Sequence, residues 1–166
     1  MDLKLINQIC KRSINLLVIH CSATRVNRNF SGRDVDAAHR ARGFSEAGYH
    51  YYIRKSGAIE PLRALDKVGA HALGYNARSI GICYEGGLDV NGRPADTRTM
   101  AQKAALVELL GALLKRFPGA SVVGHRDLSP DLNHDGVIEK HEWIKVCPCF
   151  EVKEEYFGSF IYNRCK

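Results

Sequence analysis

The stretch from His125 to Cys149 holds two kinds of metal-binding residue within 25 positions. Its outer residues His125 and Cys147 offer a nitrogen and a sulfur, which are ligand atoms that zinc prefers. The inner run DLNHDGVIEKHE instead carries carboxylate and amide oxygens, the ligand atoms of calcium sites. The segment therefore carries the signatures of two different metal sites, a zinc type in the outer residues and a calcium type in the inner run.

The inner run matches the 12-residue calcium loop at every side-chain position. Its oxygen ligands fall at loop positions 1, 3, 5, 7, 9 and 12, which are Asp131, Asn133, Asp135, the carbonyl of Val137, Glu139 and Glu142. Gly136 supplies the sharp turn at position 6. Because Pro130 stands immediately before the loop, we expect no entering helix and only an exit helix over about residues 140–145. A solvated acidic loop with a well-formed turn is the alternative. If calcium binds, we expect it to hold Lys145 and Cys147 in position.

His20 is the candidate third ligand of the zinc site. It lies at the end of the apolar run INLLVIHC, and His125 directly follows the run ASVVG. Since open α/β sheets bind ligands beyond the ends of their strands, both imidazoles can point into one cleft. With Cys147 they would form a His₂Cys set that leaves a fourth position for water, as catalytic zinc requires. Spacing alone nevertheless favours unrelated histidines and a core cysteine.

The elements that must position these residues alternate between strands and helices. Apolar runs predict buried strands over 14–21, 79–84 and 120–124, an aromatic run predicts a hairpin over 49–54 and 58–60, and capped amphipathic segments predict helices over 31–42 and 99–117. This alternation predicts an α/β fold, with one domain over residues 1–166 and a central mixed sheet flanked by helices. We expect the segment before residue 13 to form a short amphipathic helix on that domain.

Composition restricts the cellular setting and the partners. The net charge of +6 suits an anionic partner such as a cell-wall polymer or a nucleic acid, without choosing between them. Charges interrupt the first 12 residues, so we expect no signal peptide, synthesis in the cytoplasm, and another route of release for action outside the cell. No apolar run is long enough to span a membrane. We expect the six cysteines to be reduced thiols, with Cys21 and Cys83 buried.

Five ordered motifs resemble those of a known family. They are VIHCSAT (18–24), GYHYYIRKSGAIE (48–60), GAHALGYNARSIGICYEGG (69–87), VVGHRDL (122–128) and KVCPCF (145–150). In this order they resemble the zinc-dependent N-acetylmuramoyl-L-alanine amidases of type 2, the family of phage amidase-lysozymes and animal peptidoglycan recognition proteins. The resemblance covers about residues 14–152. We take residues 14–157 as the core of a single amidase domain and residues 129–143 as a calcium-loop-like insertion.

The resemblance implies a peptidoglycan hydrolase that cleaves the amide bond between N-acetylmuramic acid and the L-alanine of the stem peptide. By correspondence of motifs, the zinc ligands are His20, His125 and Cys147, and the catalytic residues are Tyr49 and Lys145. Zinc would activate water for attack on the amide carbonyl. Tyr49 would hydrogen-bond that water or move its proton, and Lys145 would stabilise the oxyanion together with zinc.

The resemblance also puts His71, and with less support His50 and Asn76, along the substrate groove, where a structural role is the alternative for each. Two further functions stay open for the whole chain: a peptidoglycan-binding module without activity, and a regulator that binds an RNA polymerase. Cys147 favours the enzyme, since recognition proteins of this family without amidase activity typically lack that cysteine. We expect a monomer that acts on the cell wall, with no nucleic acid partner and no membrane span.

Overall fold

A mixed five-stranded sheet forms the centre of the protein, whose computed structural model describes residues 6–156. Within these residues the elements are, in order, β1 (Leu16–Cys21), β2 (Thr24–Arg25), α1 (Gly32–Ala41), β3 (Tyr51–Ile53), β4 (Ile59–Pro61), β5 (Ser79–Tyr84), β6 (Gly87–Leu88), α2 (Met100–Arg116) and β7 (Ser121–Gly124). The strand order in the sheet is β4-β3-β5-β1-β7. Only β4 is antiparallel to its neighbour, through the β3–β4 hairpin, and β2 pairs with β6 outside the sheet.

The predicted α/β fold with a central mixed sheet is confirmed, and the predicted strands, hairpin and two helices all lie where the sequence indicates. Two local expectations differ. The exit helix expected over 140–145 is only a 3₁₀ turn at Lys140–Glu142. The described part of the expected N-terminal helix, residues 6–12, contains no helix, and residues 1–5 lie outside the described part of the chain. The β2–β6 pair was not predicted, because strands of two residues carry no periodicity.

Side chains that alternate along the strands divide the sheet into an apolar face and a face that carries polar groups. The apolar core on the α2 side contains Leu17, Ile19, Tyr51, Ile53, Ile80, Ile82, Tyr84, Leu106, Leu109, Leu110 and Leu113. Because successive residues of a strand point to opposite faces, His20 lies on the other side of the sheet, in register with Cys83 of β5. On that side Val35 of α1 packs with Cys83 and Tyr52. The α1 side therefore carries the candidate site.

Helix α2 is attached to the sheet by polar as well as apolar contacts. The predicted capping box is present: Thr99 Oγ1 accepts from the Gln102 N–H at 3.1 Å, and Gln102 Oε1 accepts from the Thr99 N–H at 3.0 Å. The buried Gln102 Nε2 also donates to the carbonyls of Ile53 and Glu85, at 3.1 and 2.9 Å. These bonds fix the start of α2 against β3 and the end of β5. Among residues 6–156, no helix combines the length and apolar character that crossing a membrane requires.

Candidate active site

The register of β1 and β7 brings His20 and His125 together. The parallel pairing aligns Ile19 with Gly124, so the next residue of each strand occupies the neighbouring position. His125 begins a 3₁₀ turn, His125–Leu128, and its ring centroid lies 4.5 Å from that of His20. His20 is only 1% exposed, whereas His125 is partly exposed. The two imidazoles thus meet at the ends of adjacent strands, as the sequence predicted.

Cys147 reaches the same point from a loop that packs against the end of β1. Its Sγ accepts a hydrogen bond from the Cys21 N–H at 3.2 Å, and its carbonyl accepts from the Arg126 N–H at 2.9 Å. The Tyr84 hydroxyl donates to the Pro148 carbonyl at 2.6 Å and fixes the next residue. As a result, one ligand atom each from His20, His125 and Cys147 lies within 4.8 Å of the others.

The protonation of the two histidines fits a metal ion such as zinc. Burial, with the charges of His71 and His125, holds the pKa of His20 well below its usual value. Burial and the Lys145 ammonium lower the pKa of His125 to about 4. Both imidazoles are therefore neutral at pH 7 and keep a lone pair for a metal. Two imidazole nitrogens and one sulfur, converging within 4.8 Å, match the three protein ligands of a catalytic zinc site with an open fourth position.

His71 contacts His20 through a ring nitrogen. Its Nδ1 lies 3.0 Å from His20 Nε2, and its Nε2 lies 3.3 Å from Ser79 Oγ. The His71 ring packs so closely on Gly81 of β5 that a Cβ at residue 81 would lie 2.5 Å from the ring. Asn76 Oδ1 accepts from the N–H groups of His71 and the next residue, at 2.8 and 2.9 Å. Asn76 therefore positions His71, and His71 contacts a candidate ligand directly.

Tyr49 completes the ring cluster around His20. Its ring centroid lies 5.0 Å from that of His20 and 5.2 Å from that of His39. The His39 Nδ1 accepts from the Gly48 N–H at 2.8 Å, which fixes the backbone just before the tyrosine. Burial, and then the nearby thiols of Cys83 and two other cysteines, raise the pKa of Tyr49 well above its usual value. The phenol is protonated at neutral pH and can donate a hydrogen bond.

A groove of about 410 Å³ leads to these residues. It is lined by Arg42, Phe44, Ala70, His71, Ala72, Leu73, Tyr75, Asn76, His125, Leu128, Ile144 and Lys145. His71, Asn76 and Lys145, predicted from the sequence, thus share its surface with His125. Arg42 and Phe44, which follow α1, and Tyr75 were not identified from the sequence, because they belong to no pattern that marks a binding residue. Arg42 and Lys145 give the groove positive charge.

His50, expected along the groove, instead lies beneath it. It is 0% exposed and does not line the groove. Its Nδ1 accepts from the Gly81 N–H at 3.0 Å, so its Nε2 carries the proton and bonds the Lys67 carbonyl at 3.1 Å. The Arg12 guanidinium lies 3.0 Å from that same nitrogen. Burial is the main cause that lowers the pKa of His50 to about 4, and the Arg12 charge adds to it. These contacts give His50 a structural role.

The five cysteines within residues 6–156 form no disulfide with one another. Cys21 is 7% exposed and Cys83 is 0% exposed. The Sγ atoms of Cys21 and Cys149 lie 3.9 Å apart, so two further sulfur atoms lie near the candidate ligand Cys147. The remaining cysteine, at position 165, lies outside the described residues.

Comparisons with known proteins agree with this geometry. The family model described as N-acetylmuramoyl-L-alanine amidase matches residues 11–143. The endolysin of Klebsiella phage KP32 is 34% identical over 143 residues, covering 86% of this chain and 85% of the endolysin. The solved N-acetylmuramoyl-L-alanine amidase LysC of Clostridium intestinale superposes with a TM-score of 0.68 at 27% identity, covering 91% of this chain and 87% of LysC. Drosophila PGRP-LB, at 22% identity and a TM-score of 0.61 over 84% and 76% of the two chains, shares the fold.

The contacts of His50 predict a loss of stability in mild acid. Protonation would turn Nδ1 into a donor facing the Gly81 N–H and place a charge beside Arg12. Because the folded pKa is about 4 and the unfolded value about 6.5, the folded state binds fewer protons in this range. The stability is fully present above pH 6.5 and declines as the pH falls toward 4. We expect His50 to account for a loss of about 2 kcal/mol at pH 5, or roughly 4–8 °C in melting temperature.

Melting curves of metal-free protein between pH 7.5 and pH 5 measure this loss. His50→Gln should be less sensitive to pH than the parent by that amount, whatever its absolute stability. His141→Gln, at an exposed histidine, is the control and should keep the parental slope. Equal slopes for the parent and His50→Gln would contradict the assignment.

Proposed function

Because this chain belongs to the N-acetylmuramoyl-L-alanine amidase family, we propose that it is a zinc-dependent enzyme that separates N-acetylmuramic acid from the L-alanine of the peptidoglycan stem peptide. The observation that carries the proposal is the convergence of His20, His125 and Cys147 within 4.8 Å, beside a groove that His125 helps to line. We assign residues 1–166 to one amidase domain with an insertion at 129–143, acting as a monomer on the cell wall after its release from the cell.

His20, His125 and Cys147 are the residues that would hold zinc. Zinc held there would lower the pKa of water to about 7, which would supply the nucleophile for amide hydrolysis, and would polarise the carbonyl oxygen. The low pKa values of both histidines support this role, because neutral imidazoles do not need to lose a proton before they bind the metal. The Cys21 N–H orients the sulfur of Cys147.

Tyr49 and Lys145 supply the polar groups of the reaction. The protonated Tyr49 phenol beside His20 is suited to orient the attacking water and to relay its proton. Lys145 lines the groove on the side of His125, and its charge is one of the causes of the low pKa of His125. Its ammonium is therefore close enough to the ligand cluster to stabilise the oxyanion that forms when the amide carbonyl is attacked.

The groove suits an anionic peptide attached to a sugar. Arg42 and Lys145 are its cationic residues, and stem peptides carry free carboxylates. Phe44 and Tyr75 offer ring surfaces to the less polar parts of the substrate. The net charge of +6 favours approach to an anionic wall polymer. These features support peptidoglycan as the substrate.

Removing the sulfur ligand tests the metal site. We expect Cys147→Ala to lose bound zinc and to reduce the release of stem peptides from purified peptidoglycan by at least about 10³-fold, because no activated water forms. Metal analysis and a muropeptide-release assay measure the two effects. Cys10→Ser, at a cysteine outside the ligand cluster, should match the parent in both. If Cys147→Ala released stem peptide at the parental rate, the zinc mechanism would be wrong.

Removing the catalytic polar groups should separate chemistry from metal binding. We expect Tyr49→Phe and Lys145→Gln each to retain a full complement of zinc while kcat falls by about 10²–10³-fold. KM should change less than kcat, since the main role assigned to both residues is in the chemical step. Lys140→Gln, which removes an exposed charge outside the groove, is the control for Lys145→Gln. Unchanged kcat in either test variant would exclude that residue from the reaction.

The contact of His71 with His20 predicts a positioning role. We expect His71→Ala to weaken zinc affinity by about 10–100-fold, since partners of ligating histidines set ring orientation and tautomer. A competition titration against a chromogenic chelator measures this. His71→Ala with parental zinc affinity and a raised KM would instead assign His71 to substrate binding alone. His141→Gln should leave both values unchanged.

A further inference from the structure

Side-chain oxygen atoms of the loop Asp131–Glu142 accept hydrogen bonds from the backbone of the same loop. Asp131 Oδ2 accepts from the Gly136 N–H at 2.8 Å, and Asp135 Oδ1 accepts from the Val137 N–H at 2.8 Å. Asn133 Oδ1 accepts from the Asp135 N–H at 3.1 Å. Gly136 has a φ of +85°, the left-handed conformation that the turn requires. These bonds fix the side chains at loop positions 1, 3 and 5 and leave lone pairs free for another partner.

Glu142 closes the loop from its other end. It is 3% exposed, and its Oε1 and Oε2 accept from the N–H groups of Leu132 and Glu139, at 2.7 and 2.8 Å. These backbone donors hold the pKa of Glu142 below its usual value, against the opposing charge of Asp131. The charge of Asp131 therefore lies close to that of Glu142, whose side chain is removed from solvent.

Asp131 supplies a separate observation that points to a ligand. Its Oδ1 is buried and accepts no hydrogen bond from any residue between 6 and 156. No ion pair joins Asp131 to a lysine, arginine or histidine of the same range. A buried carboxylate oxygen without a partner is costly, and buried polar groups are almost always paired. The other oxygen of Asp131 accepts from the Gly136 N–H, so the unpartnered oxygen lies on a carboxylate that the loop itself holds in place.

We propose that this loop binds one Ca²⁺ ion, with Asp131 Oδ1 as a central ligand. The remaining oxygens come from the residues at the other ligand positions of the loop, which are Asn133, Asp135, the Val137 carbonyl, Glu139 and Glu142. An all-oxygen set drawn from six loop positions favours calcium, because Mg²⁺ demands a tighter octahedron and retains its waters. The bound ion neutralises the two adjacent carboxylates and gives Asp131 Oδ1 its missing partner.

The calcium loop is coupled to the rest of the site through its two ends. The Ile144 N–H donates to Ser129 Oγ at 3.2 Å, which brings the end of the loop back to its start. The buried Arg126 guanidinium lies 4.0 Å from the centroid of the Trp143 ring. An ion that fixes Glu142 therefore also fixes Trp143, two residues before Lys145. On this argument, calcium slows the loss of a metal held by Cys147.

Binding is tested on the full-length, zinc-loaded protein by calorimetric titration with CaCl₂ and, separately, MgCl₂. Tb³⁺ luminescence provides a second readout, because Trp143 is the single tryptophan of the chain and directly follows Glu142. We expect one Ca²⁺ per chain, at least tenfold weaker binding of Mg²⁺, and a higher melting temperature with calcium. Absence of calcium binding, or equal affinity for Mg²⁺, would overturn the proposal.

Variants locate the ion. Asp131→Asn and Glu142→Gln preserve shape and should each weaken calcium binding at least tenfold. Asp89→Asn makes the same change in a turn outside the loop and should bind calcium like the parent. Asp135→Asn, at an exposed position, gives the same test if a variant at a more buried position fails to fold. Parental affinity in the folded loop variants would overturn the assignment.

Two further measurements separate this proposal from its alternatives. The ligand atoms of Glu139, His141 and Glu142 also lie within 4.8 Å of one another. His141→Gln should keep parental calcium affinity, and a tenfold loss would move the ion to that cluster. Zinc release to a chelator should slow at least threefold with calcium in the parent but not in Asp131→Asn. An unchanged rate would overturn the coupling. None of these readouts uses amidase activity, so a failure here is distinct from a failure of the proposed function.

Discussion

The parallel pairing of β1 with β5 on one side and β7 on the other determines the arrangement of the site. One register places His20 beside Cys83, and the other places it beside the residue that follows β7. A shift of one residue in β1 would turn His20 into the apolar core and bring Ile19 or Cys21 to the site. The register is held by the burial of Leu17 and Ile19 against α2. Apolar packing on the α2 face of the sheet thus determines where His20 lies on the opposite face.

Removal from solvent gives the site its electrostatic character. His20, His71 and His125 all have lowered pKa values, with burial as the first cause, and they lie close enough to oppose one another's protonation. A cluster of neutral imidazoles that cannot readily protonate is well suited to a divalent cation, which supplies the positive charge itself. The same burial keeps Tyr49 protonated, so that the cluster has one good donor beside several acceptors.

Much of this arrangement could be predicted from the sequence, because apolar runs reveal strands and the residue after a strand lies at the edge of the sheet. His20 and His125 were located in this way and Cys147 by its residue type, and the family motifs then assigned all three to one site. His50 shows the limit: it adjoins Tyr49, yet strand alternation and the Gly81 N–H direct it beneath the groove. Arg42 and Phe44 follow the end of α1, where no periodicity indicates which side chains return to the site. The segment after the calcium-type loop forms a 3₁₀ turn and not the expected helix, because the Glu142 carboxylate accepts hydrogen bonds from backbone N–H groups of the loop.

The Cys147 sulfur reaches the site through contacts at its destination, namely the Cys21 N–H and the Arg126 N–H, rather than through the chain that leads to it. The length of the segment that leads to Cys147 therefore has little effect on the free energy of folding, since each doubling of a loop costs only about 0.6 kcal/mol in closure entropy. Evolution can lengthen or shorten the segment between Leu128 and Lys145 without rebuilding the metal site. Under the calcium proposal, this segment would make the stability of the protein depend on the calcium concentration of its surroundings, while the residues assigned to the reaction stay the same.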